Sequence, residues 1–379
     1  MQFILKVHSR CDLSCDYCYV YEMADQTWRQ RPRRISLRTI DQTAHRIAEH
    51  VTLHRLPSIQ LILHGGEPLL AGPVHLAHAV HAVRAAVGTA ARVGVVVQTN
   101  AVRLDEAYLD LFDELGVRVG VSLDGDQVAH DRHRRHPDGR GSHAAVSKAL
   151  GLLSGRYRHL FAGLLCTIDL RNEPVATHEA LLEFEPPAMD FLLPHGNWAF
   201  PPPGLAAGAE TTQYADWLIP IFDRWYDSAA TTEVRIFADI MHLLMGGVSA
   251  SEVLGLAPAR MVVVETDGHI EQSDTLKSVA QGAPATGYHV SWDSFDTVLG
   301  HPGVVARQLG EQALCAECRA CPVMRICGGG LYTHRYRRGS GFANPSVYCP
   351  DLLRLITHIK GRITADLQEL SAREPDVRR

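Results

Sequence analysis

The chain has 379 residues, of which 46% are hydrophobic and 21% are charged, a composition typical of a globular protein. The formal net charge is −5, and no apolar run approaches the roughly 20 residues of a membrane span, so neither nucleic acid nor a membrane is expected as a partner. No signal peptide is evident, and we therefore expect a cytoplasmic protein.

Strand-like and helix-like segments alternate over the first half of the chain. Short apolar runs predict strands near Phe3–Val7, Gln60–Leu63, Val93–Val97, Val117–Ser122, Gly163–Ile168 and Asp190–Leu193. Amphipathic stretches predict helices over Leu37–Leu53, Val74–Val87, Asp105–Leu115 and His143–Leu153, with Ser36 and Ser142 as N-caps of the first and the fourth. Six βα units predict a parallel sheet that is either doubly wound or curled into a partial barrel.

Unusual polar or glycine-rich strings follow the predicted strands. In chain order they are RCDLSCDYC (10–18), HGGEP (64–68), QTN (98–100), SLDG (122–125), DLRN (169–172) and PHGNW (194–198). Loops at the carboxyl ends of parallel strands lie along one edge of the sheet, so these strings predict a single active-site mouth. His195, Asn197 and Trp198 are expected to face it.

The second half of the chain has a different pattern. The segment 201–212 (PPPGLAAGAETT) has the composition of a linker. Helical patterns follow over Tyr214–Ser228 and Ile236–Met245, and then a hairpin-like segment, 262–274, that turns at Asp267-Gly268. The tail Leu352–Leu370 is predicted to be an amphipathic helix.

The nine cysteines are unevenly distributed. Three lie at 11–18 and five at 315–349, while Cys166 stands alone in FAGLLCTI and is expected to be a small buried residue on a strand. Structural disulfides are not expected in the cytoplasm. The two groups therefore indicate metal ligands.

The first group, Cys11, Cys15 and Cys18, has the spacing C-x3-C-x2-C. A structural zinc site needs four protein ligands, and His8 could complete such a set. A four-iron cluster with three cysteine ligands instead leaves one iron open, which is the property that a reactive cluster needs. The iron–sulfur alternative is therefore favoured.

This group resembles the signature of the radical SAM superfamily, in which an aromatic residue precedes the last cysteine. The resemblance implies that the open iron of a 4Fe–4S cluster chelates S-adenosyl-L-methionine (SAM), and that one electron from the cluster cleaves SAM to a 5′-deoxyadenosyl radical. It implies that the HGGEP loop binds the methionine ammonium, that Asn100 and Ser122 contact the ribose or methionine end, and that Arg134 pairs with the methionine carboxylate. The residues predicted to bind SAM are Tyr17, Gly65, Gly66, Glu67, Pro68, Asn100, Ser122 and Arg134.

The second group is too dense for core packing, and a zinc ribbon is one explanation. Its spacing resembles SPASM domains, which are C-terminal extensions of peptide-modifying radical SAM enzymes. The resemblance implies four ligands of an auxiliary 4Fe–4S cluster, Cys318, Cys321, Cys327 and Cys349. The positions that match ligands of a further, inner auxiliary cluster carry Ser273 and Leu331. We therefore expect two 4Fe–4S clusters in total, with Cys315 as a spare thiol or an alternative ligand.

Three strings, KVHSRCDLSCDYCYVYEMADQTW, VVVETDGHIEQSDTLK and CGGGLYTHRYRRGSGF, resemble FxsB-type radical SAM/SPASM maturases. The resemblance implies a ribosomally made precursor peptide as substrate. The implied activity joins an aromatic ring carbon to the β-carbon of a residue two positions later and gives a three-residue cyclophane. In anaerobic sulfatase-maturating enzymes an aspartate after the G-x4-C cysteine acts as a base, and Asp274 matches it. Asp124 and Glu271 are weaker candidates, and Asp274 could also be a solvated hairpin acid.

Two other functions remain open. Oxidation of Ser or Cys to formylglycine shares the Asp274 position, but that family usually keeps both auxiliary clusters. A non-catalytic regulator that binds SAM or peptide is an alternative of another class, and the complete cysteine triad and the GGEP string argue against it.

The chain length favours about two domains. The predicted class is α/β, a partial (β/α)6 TIM-like barrel with a C-terminal SPASM-type iron–sulfur domain. The predicted units are a radical SAM core (1–200), a bridging helical region (201–255), a SPASM-like domain (256–350) and a C-terminal helix (351–379). The resemblance implies an enzyme, a radical SAM peptide-modifying oxidoreductase, whose partners would be a precursor peptide and an external electron donor such as flavodoxin or ferredoxin.

Overall fold

The computed structural model describes residues 1–205, 211–228, 231–249 and 251–373. Within these ranges, ten strands form one sheet. The strands are β1 (Gln2–His8), β2 (Ser58–Gly65), β3 (Arg92–Thr99), β4 (Val117–Ser122), β5 (Phe161–Thr167), β6 (Ala188–Leu192), β7 (Glu233–Val234), β8 (Met261–Val264), β9 (His269–Glu271) and β10 (Ala285–His289). Their spatial order is β10-β9-β8-β1-β2-β3-β4-β5-β6-β7.

Strands β1 to β7 run parallel and lie side by side in chain order. The six predicted strands and the α/β class with a parallel sheet are confirmed. Burial along β2 alternates, because Ile59, Leu61 and Leu63 lie in the core while the residues between them face the opposite side of the sheet. The carboxyl ends of β1–β6 form the edge that we call the mouth.

Strand β8 pairs in parallel with β1, and β9 and β10 continue the sheet in antiparallel fashion. The hairpin predicted over 262–274 is therefore present. Its turn places Gly268 at φ +91°, a conformation that glycine adopts without strain. The residues that follow β9 contact the segment that follows β1, since Asp25 N donates to the Lys277 carbonyl at 3.0 Å.

The described residues form thirteen α-helices. They are α1 (Leu37–His54), α2 (Pro73–Val87), α3 (Glu106–Glu114), α4 (Gln127–His133), α5 (His143–Ser154), α6 (Pro174–Leu182), α7 (Gln213–Tyr226), α8 (Arg235–Leu244), α9 (Phe295–Leu299), α10 (Pro302–Ala306), α11 (Ala316–Arg319), α12 (Met324–Cys327) and α13 (Cys349–Arg373). Ser36 caps α1 as predicted, since its side chain accepts a hydrogen bond from the Thr39 N–H. Ser142 occupies the N-cap position of α5 as predicted, but its hydroxyl donates to the Arg134 carbonyl at 2.7 Å and makes no capping hydrogen bond.

The predicted C-terminal helix is α13, which packs against α7 and α8. One hydrophobic core extends from β1 to this helix. The domain boundaries at 200, 255 and 350 stay a prediction. Residues 206–210 of the predicted linker and 374–379 of the predicted C-terminal unit lie outside the described residues. None of the helices in the described ranges has both the length and the apolar character of a membrane span.

Candidate active site

The cysteine loop (10–18) follows β1 at the mouth, and its three thiols are partly buried. The HGGEP loop after β2 lies against it through two main-chain hydrogen bonds, from Gly66 N to His8 O at 2.8 Å and from Glu67 N to Arg10 O at 2.9 Å. The two loops therefore form one unit at the ends of neighbouring strands.

The two glycines of this unit are required by the contact between the loops. A Cβ atom at Gly65 would collide with the His8 carbonyl oxygen. At Gly66 it would collide with the Tyr21 hydroxyl and with the Arg10 carbonyl. The backbone at the end of β1 and at the start of the cysteine loop therefore packs directly against these glycines.

The Glu67 carboxylate is buried beneath the loop that carries it. It accepts hydrogen bonds from Leu69 N at 2.9 Å, Thr99 Oγ1 at 2.7 Å and Asn100 N at 2.8 Å. Burial raises its pKa to about 7, against the opposing effect of these three donors. Glu67 therefore joins the ends of β2 and β3, and a direct contact between its side chain and an ammonium group stays a prediction.

Asn100 and Ser122, both predicted to contact SAM, occupy the carboxyl ends of β3 and β4. The Asn100 side-chain amide donates to Asp12 Oδ1 at 2.9 Å and approaches Cys11 Sγ at 3.6 Å, so it orients the first cysteine. The Ser122 hydroxyl accepts a hydrogen bond from Gln98 Nε2 at 3.2 Å.

Asp124 is a buried carboxylate that connects three parts of the mouth. It accepts hydrogen bonds from the Tyr17 hydroxyl, from Arg134 Nε at 2.8 Å and from Thr167 N at 2.9 Å. Burial opposes ionisation, but the adjacent Arg134 charge keeps the pKa of Asp124 below its usual value. The guanidinium lies 5.5 Å from the centre of the Tyr17 ring. Asp124 therefore positions two of the predicted SAM-binding residues, and its bonds leave no free carboxylate oxygen for a general base.

The three thiols fit a cluster better than a single zinc ion. A tetrahedral zinc site would bring its sulfur ligands to about 3.8 Å from one another, and no three cysteine sulfurs in the described chain lie within 4.8 Å. Burial raises the pKa of Cys15 to about 12, and Arg134 opposes this shift at both Cys15 and Cys18. The wider spacing and the nearby cation fit a larger anionic group held by thiolates.

Asp274 lies just after β9, within the mouth. It is 6% exposed and forms an ion pair with Lys6, which belongs to β1. Its other oxygen, Oδ1, is buried and has no hydrogen-bond partner. Burial would raise the pKa of Asp274, but the charges of Lys6, Lys277 and then His64 hold it below the usual value. The carboxylate therefore stays anionic and has one oxygen available, which differs from the expected alternative of a solvated hairpin acid.

Glu271, the other weak candidate, is already engaged. Its two oxygens bind Lys277 Nζ at 3.0 Å and Arg31 Nη2 at 2.6 Å. Lys277 also binds Glu265 at 2.9 Å, and these charges form a buried network next to Asp274. Glu271 has no carboxylate oxygen left to accept a proton without breaking this network.

Of the three residues predicted to face the mouth from 194–198, one does so. The ring centre of His195 lies 4.5 Å from that of Tyr19. Burial lowers the pKa of His195 to about 4, and the charge of Asp274 opposes this shift. The prediction is wrong for Asn197, which is fully buried and donates to the Ser278 carbonyl at 3.2 Å. It is also wrong for Trp198, whose indole N–H donates to the Pro345 carbonyl at 2.8 Å.

Sequence reasoning missed Lys6, the counter-ion of Asp274. The available signal was a lysine in the otherwise apolar strand QFILKVH, where it is 2% exposed. A fully buried lysine requires a charged or polar partner. Here the partners are Asp274 and His64 Nδ1, the latter at 3.1 Å.

The four predicted auxiliary ligands line one cavity, together with apolar side chains such as Met324 and Leu353. They are Cys318, Cys321, Cys327 and Cys349. Burial raises the pKa of Cys318 to about 12 and that of Cys327 to about 11, so these thiols would lose their protons on binding a metal centre. Four thiol donors around one cavity fit an iron–sulfur cluster.

The positions matched to the inner auxiliary cluster have other contacts. The Ser273 hydroxyl pairs with Thr275 Oγ1 at 3.0 Å, and Leu331 is buried. The guanidinium of Arg335, which is 8% exposed, donates to the carbonyls of Gly328, Gly329 and Gly330. The Arg335 side chain therefore supplies hydrogen-bond donors to these three main-chain carbonyls.

Comparisons with known proteins agree with this geometry. Residues 5–166 match the family model of the Radical SAM superfamily. An uncharacterized protein of Synechocystis sp. is 30% identical over 158 residues, which are 39% of this chain and 36% of that protein. The serine-type anaerobic sulfatase-maturating enzyme of Bacteroides thetaiotaomicron is 28% identical over 38% of this chain and 34% of its own length. These two alignments thus span about a third of each relative.

Other similarities cover nearly the whole chain. The cysteine-type anaerobic sulfatase-maturating enzyme of Clostridium perfringens (strain ATCC 13124) is 21% identical over 90% of this chain and 91% of its own. The structure of native anSMEcpe with bound AdoMet superposes with a TM-score of 0.83 at 18% identity, over 97% of this chain and 99% of that one. Streptococcus suis SuiB bound to precursor peptide SuiA gives a TM-score of 0.57 at 11% identity, over 92% and 75% of the two chains.

The family match begins within β1 and includes β2–β4, the cysteine loop and the HGGEP loop. These elements form part of the mouth. Beyond β4, strands β5, β6 and β7 extend the same sheet in chain order. Residues 5–166 are therefore similar to the Radical SAM superfamily, and the chain has the α/β radical SAM fold with a parallel sheet.

Proposed function

We propose that this protein is a radical SAM maturase that crosslinks side chains of a ribosomally made precursor peptide, joining an aromatic ring carbon to a β-carbon two residues later. The choice of crosslink rests on the resemblance of its sequence to cyclophane-forming maturases. The structural observation that carries the proposal is Asp274, a buried carboxylate with one unpartnered oxygen beside the cysteine loop.

The residues that would hold the cofactors are the two cysteine sets, at 11–18 and at 318–349, together with the predicted SAM contacts. When bound, the first cluster with SAM supplies a 5′-deoxyadenosyl radical, and the second supplies a one-electron acceptor. Asn100 and Arg134 fit the role of SAM ligands because both lie against the cysteine loop. The two Nη atoms of Arg134 have no hydrogen bond within the described residues and can donate to a carboxylate.

Formation of the crosslink replaces two C–H bonds by one C–C bond. The peptide must therefore lose one hydrogen atom, one proton and one electron. We assign the proton to Asp274 Oδ1, because this oxygen is desolvated, anionic and free of competing donors. Lys6 stabilises the charge of Asp274 before the proton arrives.

The proposed partners are the precursor peptide and an external electron donor such as flavodoxin or ferredoxin. A precursor peptide accompanies SuiB, and the Cp18Cys peptide accompanies anSMEcpe, in structures that resemble this fold. The proposed peptide site is the mouth, where the ends of β1–β6 meet the segment after β9. A peptide bound there would contact both Asp274 and His195.

The test uses anaerobically reconstituted protein with SAM, dithionite and candidate precursor peptides that contain an aromatic-x-x motif. We expect the peptide to lose the mass of two hydrogen atoms without gaining aldehyde reactivity, and fragmentation to stop within the three-residue ring. Deuterium at the peptide β-carbon should appear in 5′-deoxyadenosine. An unchanged peptide mass with bound SAM would favour a non-catalytic binding protein.

Formylglycine formation is the second candidate, favoured by the similarity to sulfatase-maturating enzymes over about nine-tenths of the chain. It would convert a serine or cysteine side chain to an aldehyde. The same reaction mixture distinguishes it, because an aldehyde reacts with a hydrazide reagent whereas a carbon–carbon crosslink does not.

A further inference from the structure

Helix α1 and helix α9 meet at a cluster of three side chains remote from the mouth. His50 and His54, one turn apart on α1, both face Asp296 in the first turn of α9. His50 Nδ1 lies 3.3 Å from Asp296 Oδ2, and His54 Nε2 lies 2.5 Å from Asp296 Oδ1. The two imidazole centres are 4.4 Å apart.

One donor atom from each side chain lies within 4.8 Å of the other two. An ion held tetrahedrally at 2.0–2.2 Å from nitrogen and oxygen ligands separates those ligands by about 3.4 Å. The three donors therefore need only small rotations to surround one ion. Two histidines at positions i and i+4 of a helix, with a carboxylate from elsewhere, form a donor set that binds zinc.

Burial supports a formed site with an open position. His50 is 5% exposed and packs edge-on against Phe3, so its ring is held in place. The side chains of His54 and Asp296 are 42% and 29% exposed, which leaves one side of the cluster open to solvent. A water molecule could occupy the fourth position of the ion there.

The geometry points to a divalent transition-metal site, best suited to Zn²⁺, formed by His50, His54 and Asp296. It is independent of the proposed function and of both cysteine sets, because its donors are nitrogen and oxygen. In sequence, Asp296 lies 246 residues after His50 and 242 residues after His54. An ion there clamps α9, in the C-terminal part of the chain, to the first helix.

The experiment measures zinc binding to the reconstituted, iron-loaded protein by anaerobic equilibrium dialysis against Zn²⁺. We expect about one zinc per chain beyond the cysteine sites, with nitrogen and oxygen ligands at about 2.0–2.1 Å by X-ray absorption. The His50→Gln/His54→Gln double variant should lose this zinc, and Asp296→Asn should weaken its binding by about tenfold or more.

The matched control is His78→Gln on α2. His78 makes a similar bond to Asp41, at 2.7 Å, but no third donor gathers around that pair in the described part of the chain. This variant should bind zinc as the parent protein does. Equal zinc binding by the double variant, at unchanged iron content and helicity, would overturn the site, as would sulfur-only coordination at about 2.3 Å.

Discussion

Asp274 is distinguished from the other acids at the mouth by its unpartnered oxygen. We expect Asp274→Asn to slow crosslink formation by about 10²–10⁴-fold, because the amide cannot accept the proton. Cleavage of SAM should continue, so 5′-deoxyadenosine would form without an equivalent amount of crosslinked peptide. The ratio of the two products, measured by mass spectrometry, tests this. If Glu271→Gln instead abolished the crosslink while Asp274→Asn did not, the assignment of the base would be wrong.

Lys6 determines the protonation of Asp274. Burial raises the pKa of this carboxyl, and Lys6 is the strongest of the charges that lower it. Removing the lysine in Lys6→Met should therefore raise the pKa, so that the acidic limb of the pH profile of kcat/KM moves to higher pH. An unmoved acidic limb would indicate that another group controls it.

Gly66 tests the contact between the two loops of the site. Alanine at this position would place its Cβ inside the Tyr21 hydroxyl and the Arg10 carbonyl, so we expect the cysteine loop to shift and the reconstituted protein to hold less iron. Gly151→Ala on α5 is the control, because its Cβ would meet no atom within 4 Å. That variant should keep its iron and gain about 0.5–1 kcal/mol of helix stability. Equal iron in both variants would contradict the packing argument.

Among the elements, the buried strands were the most predictable. Strands β1–β6 are short apolar runs, and each predicted strand overlaps the observed one. Helices α4 and α6 were missed because α4 is short and polar, and α6 has apolar residues around most of its surface. Strand β7 has two residues and β10 has no apolar alternation, so only pairing with a neighbouring strand creates them.

The junction of β6 and α8 contains a titratable group away from the cysteines. Asp190 is buried in β6 and pairs with Arg235 of α8 at 3.0 Å, and burial raises its pKa to about 6. The unfolded value is about 3.9. The folded state therefore holds this proton to higher pH, and the free energy of unfolding should fall as pH rises between these values, by roughly 3 kcal/mol at most.

Asp190→Asn is neutral at every pH and should remove this contribution. The midpoint of urea unfolding, measured anaerobically between pH 5 and 7, should fall less with rising pH in the variant than in the parent protein. A parallel decline in the two proteins would show that Asp190 has an ordinary pKa in the folded state.

At the scale of the whole molecule, the site depends on contacts that no local pattern contains. The first three cysteine ligands could be proposed from their spacing, because they lie within eight consecutive residues and a short loop keeps them close together. The pairing of Lys6 with Asp274 requires β8 to lie beside β1, two strands about 260 residues apart. For the same reason Asn197 and Trp198 were assigned to the mouth, whereas they join the loop after β6 to segments near residues 278 and 345.

The second cysteine set connects the end of the chain to its body. Cys349 is the first residue of α13, and it lines the same cavity as Cys318, Cys321 and Cys327. Two 4Fe–4S clusters would give about eight irons per chain. We expect Cys349→Ser to reduce this to about four and to stop crosslinking, while the first cluster still cleaves SAM, because its ligands lie on the separate cysteine loop.

Cys315→Ser is the matched control, since Cys315 lies next to Cys318 but does not line the cavity. It should keep about eight irons and its activity. Anaerobic iron analysis and the Mössbauer spectrum of each variant provide the measurement. About twelve irons in the parent protein would contradict the proposal of two clusters. Unchanged iron in Cys349→Ser would remove Cys349 from the ligand set, and α13 would then be held to the body by its apolar face and by polar contacts such as the ion pair between Arg362 and Asp223 at 2.7 Å.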